Sequence, residues 1–312
     1  MANALNYATS YGRELDQVFP YVLNFGALYA TPNNGRYRWV NAKTIEIPRL
    51  STTGRVPASR DSITHAVRNY DNSWETKELS NQRKWSTLVH PMDIDETNMT
   101  ATIGNITRVF NEEQKFPEMD AYLISRLYSL WTTSVASEGY VGKTADQTAL
   151  TASNVLNVFD ALMLNMDNAR VPANGRILYV TNEVKTMLKQ ATQIQRDWDV
   201  QSSADSVNRV VNRLDEVQVI GVPATLMKTA YVFSTGYAPS PTAGQINMML
   251  IHPTAVITPH KYEFAQLEAP SAMSEGKYVY YEESYEDVFI LNNKADAIQF
   301  NITPYTAPTT TT

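Results

Sequence analysis

The segment that most narrows the possible folds is Pro117–Ser137, PEMDAYLISRLYSLWTTSVAS, an unbroken run of helical periodicity. Pro117 suits a first helical position, where its missing N–H is not needed, and Glu118 and Asp120 place negative charge beside the positive end of the helix dipole. Met119, Leu123, Leu127 and Leu130 recur at spacings of four, four and three, with Tyr122, Trp131 and Val135 widening the stripe. Gly139 supplies a stop just past the end. Such a helix is about 31 Å long. Its stripe, with Met119, Leu123, Leu127 and Leu130 as the expected core, requires a sheet or a second helix laid along it.

A stretch of the opposite character lies upstream. Thr44-Ile45-Glu46-Ile47-Pro48 alternates as a strand, with Ile45 and Ile47 on one face. From Arg49 to about Val89 the chain then turns polar, with no long apolar face. Arg49, Arg55, Arg60, Arg68, Lys77, Arg83 and Lys84 outnumber Asp61, Asp71, Glu75 and Glu78, seven against four, so this region is basic within an acidic protein. A connection of that length without its own core reads as a projecting hairpin or functional loop, the alternative being a disordered basic loop. Trp74 and Trp85, with Leu79 and Leu88, give it apolar groups to lay on a neighbour.

The remaining segments predict a mixed α+β chain. Residues 1–29 read as an arm with a short helical piece, in which Leu15, Val18, Phe19 and Val22 share a face that Pro20 interrupts. Trp85–Met92 is a second strand. Thr100–Gln114 is a weaker helix that ends at the Phe116-Pro117 turn. A further helix places Val155, Leu156, Phe159, Leu162, Met163 and Met166 on one face, and Arg176–Val180 is a buried strand followed by a helix capped by Asn182. Residues 193–208 read as a surface loop around Trp198. Strands follow at 217–222, 246–251, 277–291 and 297–302.

Chemistry is sparse. The chain has no cysteine, which removes disulfides and thiolate metal sites, and its formal charge of −6 argues against a surface that coats nucleic acid. The first residues contain no apolar secretory core, and no run approaches the roughly 20 apolar residues of a membrane span. His65, His90, His252 and His260 stand far apart, and no glycine-rich phosphate-binding pattern occurs. Asp93-Ile94-Asp95-Glu96-Thr97 matches the D-x-D-x-T string of aspartyl-phosphate phosphatases, where the first aspartate attacks phosphorus beside Mg²⁺. That chemistry needs a strand delivering both aspartates at its end, and Pro91 stands against one, so Asp93 and Asp95 read as charged turn residues. The reading is of no enzyme, no cofactor and no metal.

The order of features resembles the major capsid proteins of tailed bacteriophages, the Hong Kong 97 type fold. The residues that carry this are Thr44–Pro48, Trp74-Glu75-Thr76, Asn81–Ser86 leading to Met92–Thr97, the Phe116–Tyr122 helix start, Gly175–Val180, Val219–Pro223, Ile251–Val256 and Asp287–Lys294. The resemblance implies an N-terminal arm over 1–37, an extended loop (E-loop) over 49–89, and a peripheral domain over 38–48 and 90–147 with its spine helix at 117–137. An axial domain would cover 148–250, and 251–312 would return to the peripheral domain and end in a tail. It implies hexamers and pentamers of this chain in an icosahedral shell around double-stranded DNA, which is held without sequence-specific contacts. A separate scaffolding protein, a portal and a decoration protein are the other expected partners, with no membrane. Assembly would take place in the host bacterial cytoplasm, and the product would be the virion. An encapsulin-like nanocompartment shell is the alternative, and the Mg-dependent phosphatase the third reading. The inter-subunit candidates are Phe19, Arg55, Arg60, Arg68, Trp74, Lys77, Arg83, Lys84 and Trp85, through apolar burial and pairing of the basic residues with a neighbour's acidic surface.

Overall fold

The computed structural model describes residues 21–55, 57, 68–97, 99–191 and 211–306. Its helices are α1 (Gly26–Tyr29), α2 (Pro91–Glu96), α3 (Ile103–Phe110), α4 (Phe116–Thr132), α5 (Val155–Asn168) and α6 (Asn182–Gln190). The two helices expected on either side of Phe116-Pro117 are one rod. Asn111–Lys115 joins α3 to α4 as a π-helical turn, giving 30 continuous helical residues and a length of about 45 Å. A proline inside an α-helix lacks a donor and collides with the carbonyl four residues back. Here the wider turn just upstream, with the Phe116 N–H accepted by Asn111 O, lets Pro117 sit inside the rod without breaking it.

The rod ends at Thr132, short of Ser137, because the returning chain takes its last carbonyls. Lys143 N–H and Tyr140 O–H both donate to Trp131 O, at 2.9 and 2.7 Å. Gly142 is required there, since a Cβ would lie 2.0 Å from Thr132 O.

Strands Ile298–Thr303, Gln245–Ile251, Ile177–Thr181, Val217–Val222 and Arg213–Leu214 form a five-stranded sheet in that order. Only the pair 177–181 and 217–222 is parallel. Alternation sends Ile177 and Tyr179 into one core and Leu178 and Val180 into the other. In Gln245–Ile251 an irregularity between Ile246 and Met248 resets the alternation, so Ile246 and Met249 reach the same side. α4 covers one face, and α5 and α6 cover the other. Thr181, not Asn182, caps α6, accepting the Val184 N–H at 3.3 Å.

The buried line of α4 runs through Asp120, Ile124, Leu127 and Trp131, with Ala121 and Leu123 beside it. Leu123 and Leu127 are fully buried, whereas Met119 and Leu130 are half-buried on the flanks. The expected stripe is rotated because Phe25 and Leu28 of the N-terminal segment join this core. Trp131 and Tyr128 both meet Phe300 edge-on, at 5.1 and 5.4 Å between ring centres.

Two smaller sheets flank the rod. Thr44–Thr52 and Tyr70–Glu78 pair antiparallel over nine residues each, with Arg38–Trp39 along the base. Gln82–Val89 belongs elsewhere: it pairs with Tyr278–Glu286, which pairs with His260–Glu268. The stretch 49–89 therefore holds two structures that part at Leu79 and Ser80. Leu79 is buried, and Ser80 donates its N–H and hydroxyl to Asp287 at 2.8 and 3.0 Å. The boundary expected after Leu250 falls inside strand Gln245–Ile251, whose partner Ile298–Thr303 comes from the returning segment.

Candidate assembly surface

The ribbon Thr44–Glu78 has a root and a free end. At the root Ile45, Ile47, Leu79, Ile257 and Phe289 bury one another, with Tyr37 and Trp39 packed around them. The apolar alternation stops at Pro48, and so does the burial: residues 48–52 and 70–74 are exposed, including Leu50 at 68%, Tyr70 at 53% and Trp74 at 49%. A two-stranded ribbon with neither face covered is marginal alone in water. What holds it out is its root.

Polar contacts reinforce that root. Lys77 bridges Glu75 at 2.7 Å and Glu138 at 2.5 Å, and the Asn292 amide donates to both carboxylates. Desolvation raises the Glu75 carboxyl despite Lys77, while Lys77 and Asn292 hold that of Glu138 below its ordinary range against its own desolvation. Lys77, expected to face a neighbour, is consumed within its own chain.

Two more candidates are engaged within their own chain in the same way. Trp85 lies flat on Phe110 of α3, 3.9 Å between ring centres and 6° apart, with Tyr280 at 5.7 Å. Arg83 pairs with Glu118 at 2.6 Å and donates to Phe233 O at 2.8 Å. Both sit on strand Gln82–Val89, whose inner face is turned to the rod. Lys84, one residue over, faces outward and is exposed. Arg55, Arg68 and Trp74 remain on the open ribbon. The Arg38 guanidinium lies 4.9 Å from the Trp74 ring centre, and Arg68 lies 4.9 Å from that of Tyr70. Phe19 and Arg60 lie outside the described residues, as do His65 and Trp198.

Residue-type reasoning missed the anchor of the N-terminal segment. Asp120, read as a dipole partner, is fully buried and accepts from Tyr21 O–H, from Asn24 N–H at 2.8 Å and from Phe25 N–H at 3.4 Å. Burial pushes its carboxyl up to about 6, and those three donors limit the rise. The one available signal was an acid in phase with the buried face of α4.

Asp93 and Asp95 lie on α2, not at a strand end. The His90 ring accepts the Met92 N–H at 3.2 Å, and Thr97 donates its hydroxyl to Asp93 O at 2.6 Å, so the D-x-D-x-T string builds a capped helical turn. Among the described residues no three His, Asp or Glu side chains are placed to share a metal ion, and no helix is long and apolar enough to cross a membrane. His252 is buried, and desolvation lowers its imidazole below the ordinary histidine value; its ring is placed between Asn174 O at 3.1 Å and the Thr254 hydroxyl at 2.8 Å.

No known sequence family matches this chain, and no curated protein sequence does. Solved structures do. The chain superposes on the asymmetric unit of the mature capsid of bacteriophage PhiM1 with a TM-score of 0.66 at 12% identity, covering 95% of this chain and 91% of that one. For the capsid of cyanophage P-SCSP1u the values are 0.63 and 13%, with 97% and 93% covered. For the head of Helicobacter pylori bacteriophage KHP40 they are 0.60 and 11%, with 95% of each chain covered. An α+β likeness of that extent means that this chain has the fold of bacteriophage capsid chains over nearly its whole length.

Proposed function

We propose that this chain is the major capsid protein of a tailed phage, assembling as hexamers and pentamers into an icosahedral shell around double-stranded DNA. One observation carries the reading: the likeness to phage capsid chains covers 95–97% of this chain, which itself carries a ribbon with no second layer of its own. In this reading the work is done by interfaces. The free end of the ribbon, residues 48–74, lies on an adjacent copy and buries Trp74, Tyr70 and Leu50 there, while Arg55 and Arg68 meet acidic groups. Residues 1–37 serve as an arm that Asp120 ties to the rod, the rod is the spine of a peripheral domain, and α5 and α6 belong to an axial one. A scaffolding protein, a portal and a decoration protein complete the assembly, and the product is the virion.

Electron microscopy of the purified full chain, with nuclease digestion of whatever it encloses, tests the proposal. Closed particles of uniform size that protect DNA in infected cells are expected. Particles enclosing protein cargo in place of DNA would transfer the fold to a nanocompartment, and a chain that stays monomeric at all concentrations would end the shell reading.

A further inference from the structure

A cavity of about 270 Å³ lies between the rod and the sheet of strands Gln82–Val89, Tyr278–Glu286 and His260–Glu268. That is below the roughly 300–1,000 Å³ of small-molecule sites and suits a single long side chain. Its wall includes the stacked pair Trp85 and Phe110. Of its five carboxylates, Glu118 is taken by Arg83 at 2.6 Å, Glu282 by Lys115 at 3.1 Å and Glu283 by Gln82 and the Tyr281 hydroxyl, while Glu263 stands 3.7 Å from the His260 ring. Glu286 also lines the cavity, and no hydrogen bond or ion pair holds its carboxylate among the described residues. Desolvation pushes that carboxyl up to about 7, with Lys115 opposing the rise. An aromatic wall beside a carboxylate that Lys115 and Arg83 influence but do not hydrogen-bond is the chemistry that receives a guanidinium.

The ribbon supplies such a group. Among the described residues of its free end the charges are Arg49, Arg55 and Arg68 against Asp71 alone, all exposed. Arg68 stands just beyond the last paired position, Thr52 with Tyr70. It cannot reach the cavity of its own chain. Nine paired residues carry it about 30 Å from the root, whereas the five residues from Glu78 to Arg83 span at most about 17 Å.

We propose that the Glu286 cavity is the socket for Arg68 of a second copy, whose guanidinium enters against Trp85 and pairs with the Glu286 carboxylate. The proposal rests on the shell reading and names where the ribbon of one copy meets the body of the next.

Charge exchange in the full chain tests it, with Glu286→Arg, Arg68→Glu and the double variant compared by sedimentation velocity, which counts every oligomer, and by microscopy. Thermal unfolding checks that each variant folds, and the milder Glu286→Gln gives a second readout where the reversal does not. Each single change is expected to reduce the assembled fraction at least tenfold, with the double variant restoring it. Three results overturn the socket: single variants that assemble like the parent, a double variant no better than either single one, or rescue of Glu286→Arg by Arg55→Glu in place of Arg68→Glu. In all three the parent still assembles and the shell reading stands. A parent that remains monomeric overturns both together.

Discussion

Strand Ile177–Thr181 is buried at all five residues, whereas strand Tyr70–Glu78 is exposed at seven of nine. The first lies between two helical layers that the chain itself provides. The second has a sheet partner and, over residues 70–74, no covering layer. Strand pairing satisfies the backbone in both cases, so hydrogen bonding does not separate them; the missing second layer does. In the proposed shell, a segment kept extended in an otherwise well-packed chain, with Trp74, Tyr70 and Leu50 open, takes its missing layer from another molecule.

The contrast is sharpest between two tryptophans. Trp131 is 1% exposed, meets Phe300 edge-on and donates its indole N–H to Ala295 O at 3.1 Å. Trp131→Ala is expected to cost about 3–5 kcal/mol in the free subunit, measured from denaturant midpoints. Trp74→Ala should stay within about 0.5 kcal/mol in the same measurement and act on assembly instead. Equal losses at the two sites would break the comparison.

An intermediate effect belongs to the arm anchor. Asp120→Ala leaves the Asn24 and Phe25 N–H groups without their acceptor and is expected to cost about 1–3 kcal/mol, with earlier proteolytic cleavage near Tyr21–Phe25. The pH dependence has a definite sign. The folded carboxyl titrates at about 6, above the ordinary 3.8, so the folded state binds more protons between those values. This residue's contribution therefore becomes more favourable as the pH falls from about 6 to about 4. Asp120→Asn should flatten that part of the stability–pH profile, and an unchanged slope would contradict the assignment.

The smallest effect is expected at the ribbon root. A double-mutant cycle between Lys77 and Glu138 should report a coupling of about 1 kcal/mol, since both side chains are partly withdrawn from solvent and share Asn292. A coupling of zero would mean that the apolar root alone holds the ribbon out.

The same contrast explains what was legible in the sequence. Periodicity located the strand around Ile45 and Ile47, the buried strand at 177–180 and the helix covering Leu123 and Leu127, because each is a local pattern set by which face is buried. The end of alternation at Pro48 marked where the root gives way to the free ribbon. Contacts between distant segments were not legible. Nothing near Trp85 announces Phe110, nothing near Arg83 announces Glu118, and Asp120 carries no mark of the backbone N–H groups that arrive from Asn24 and Phe25. Pro117 read as a helix start because a start is its usual place, and the π turn that admits it into a longer rod leaves no pattern in the residue types. The shell reading came from the order of many weak features, which agrees with a likeness at 10–13% identity that only the fold preserves.

The central claim is that the ribbon's missing layer is a neighbouring copy. Its most direct test replaces residues 49–73 by Asn-Gly, closing the ribbon at the cross-strand pair Pro48 and Trp74 while leaving the root and strand Gln82–Val89 intact. Assembly by microscopy and unfolding by calorimetry are then compared with the parent chain. The account predicts an unchanged melting temperature and no closed particles; normal particles from the shortened chain would contradict it.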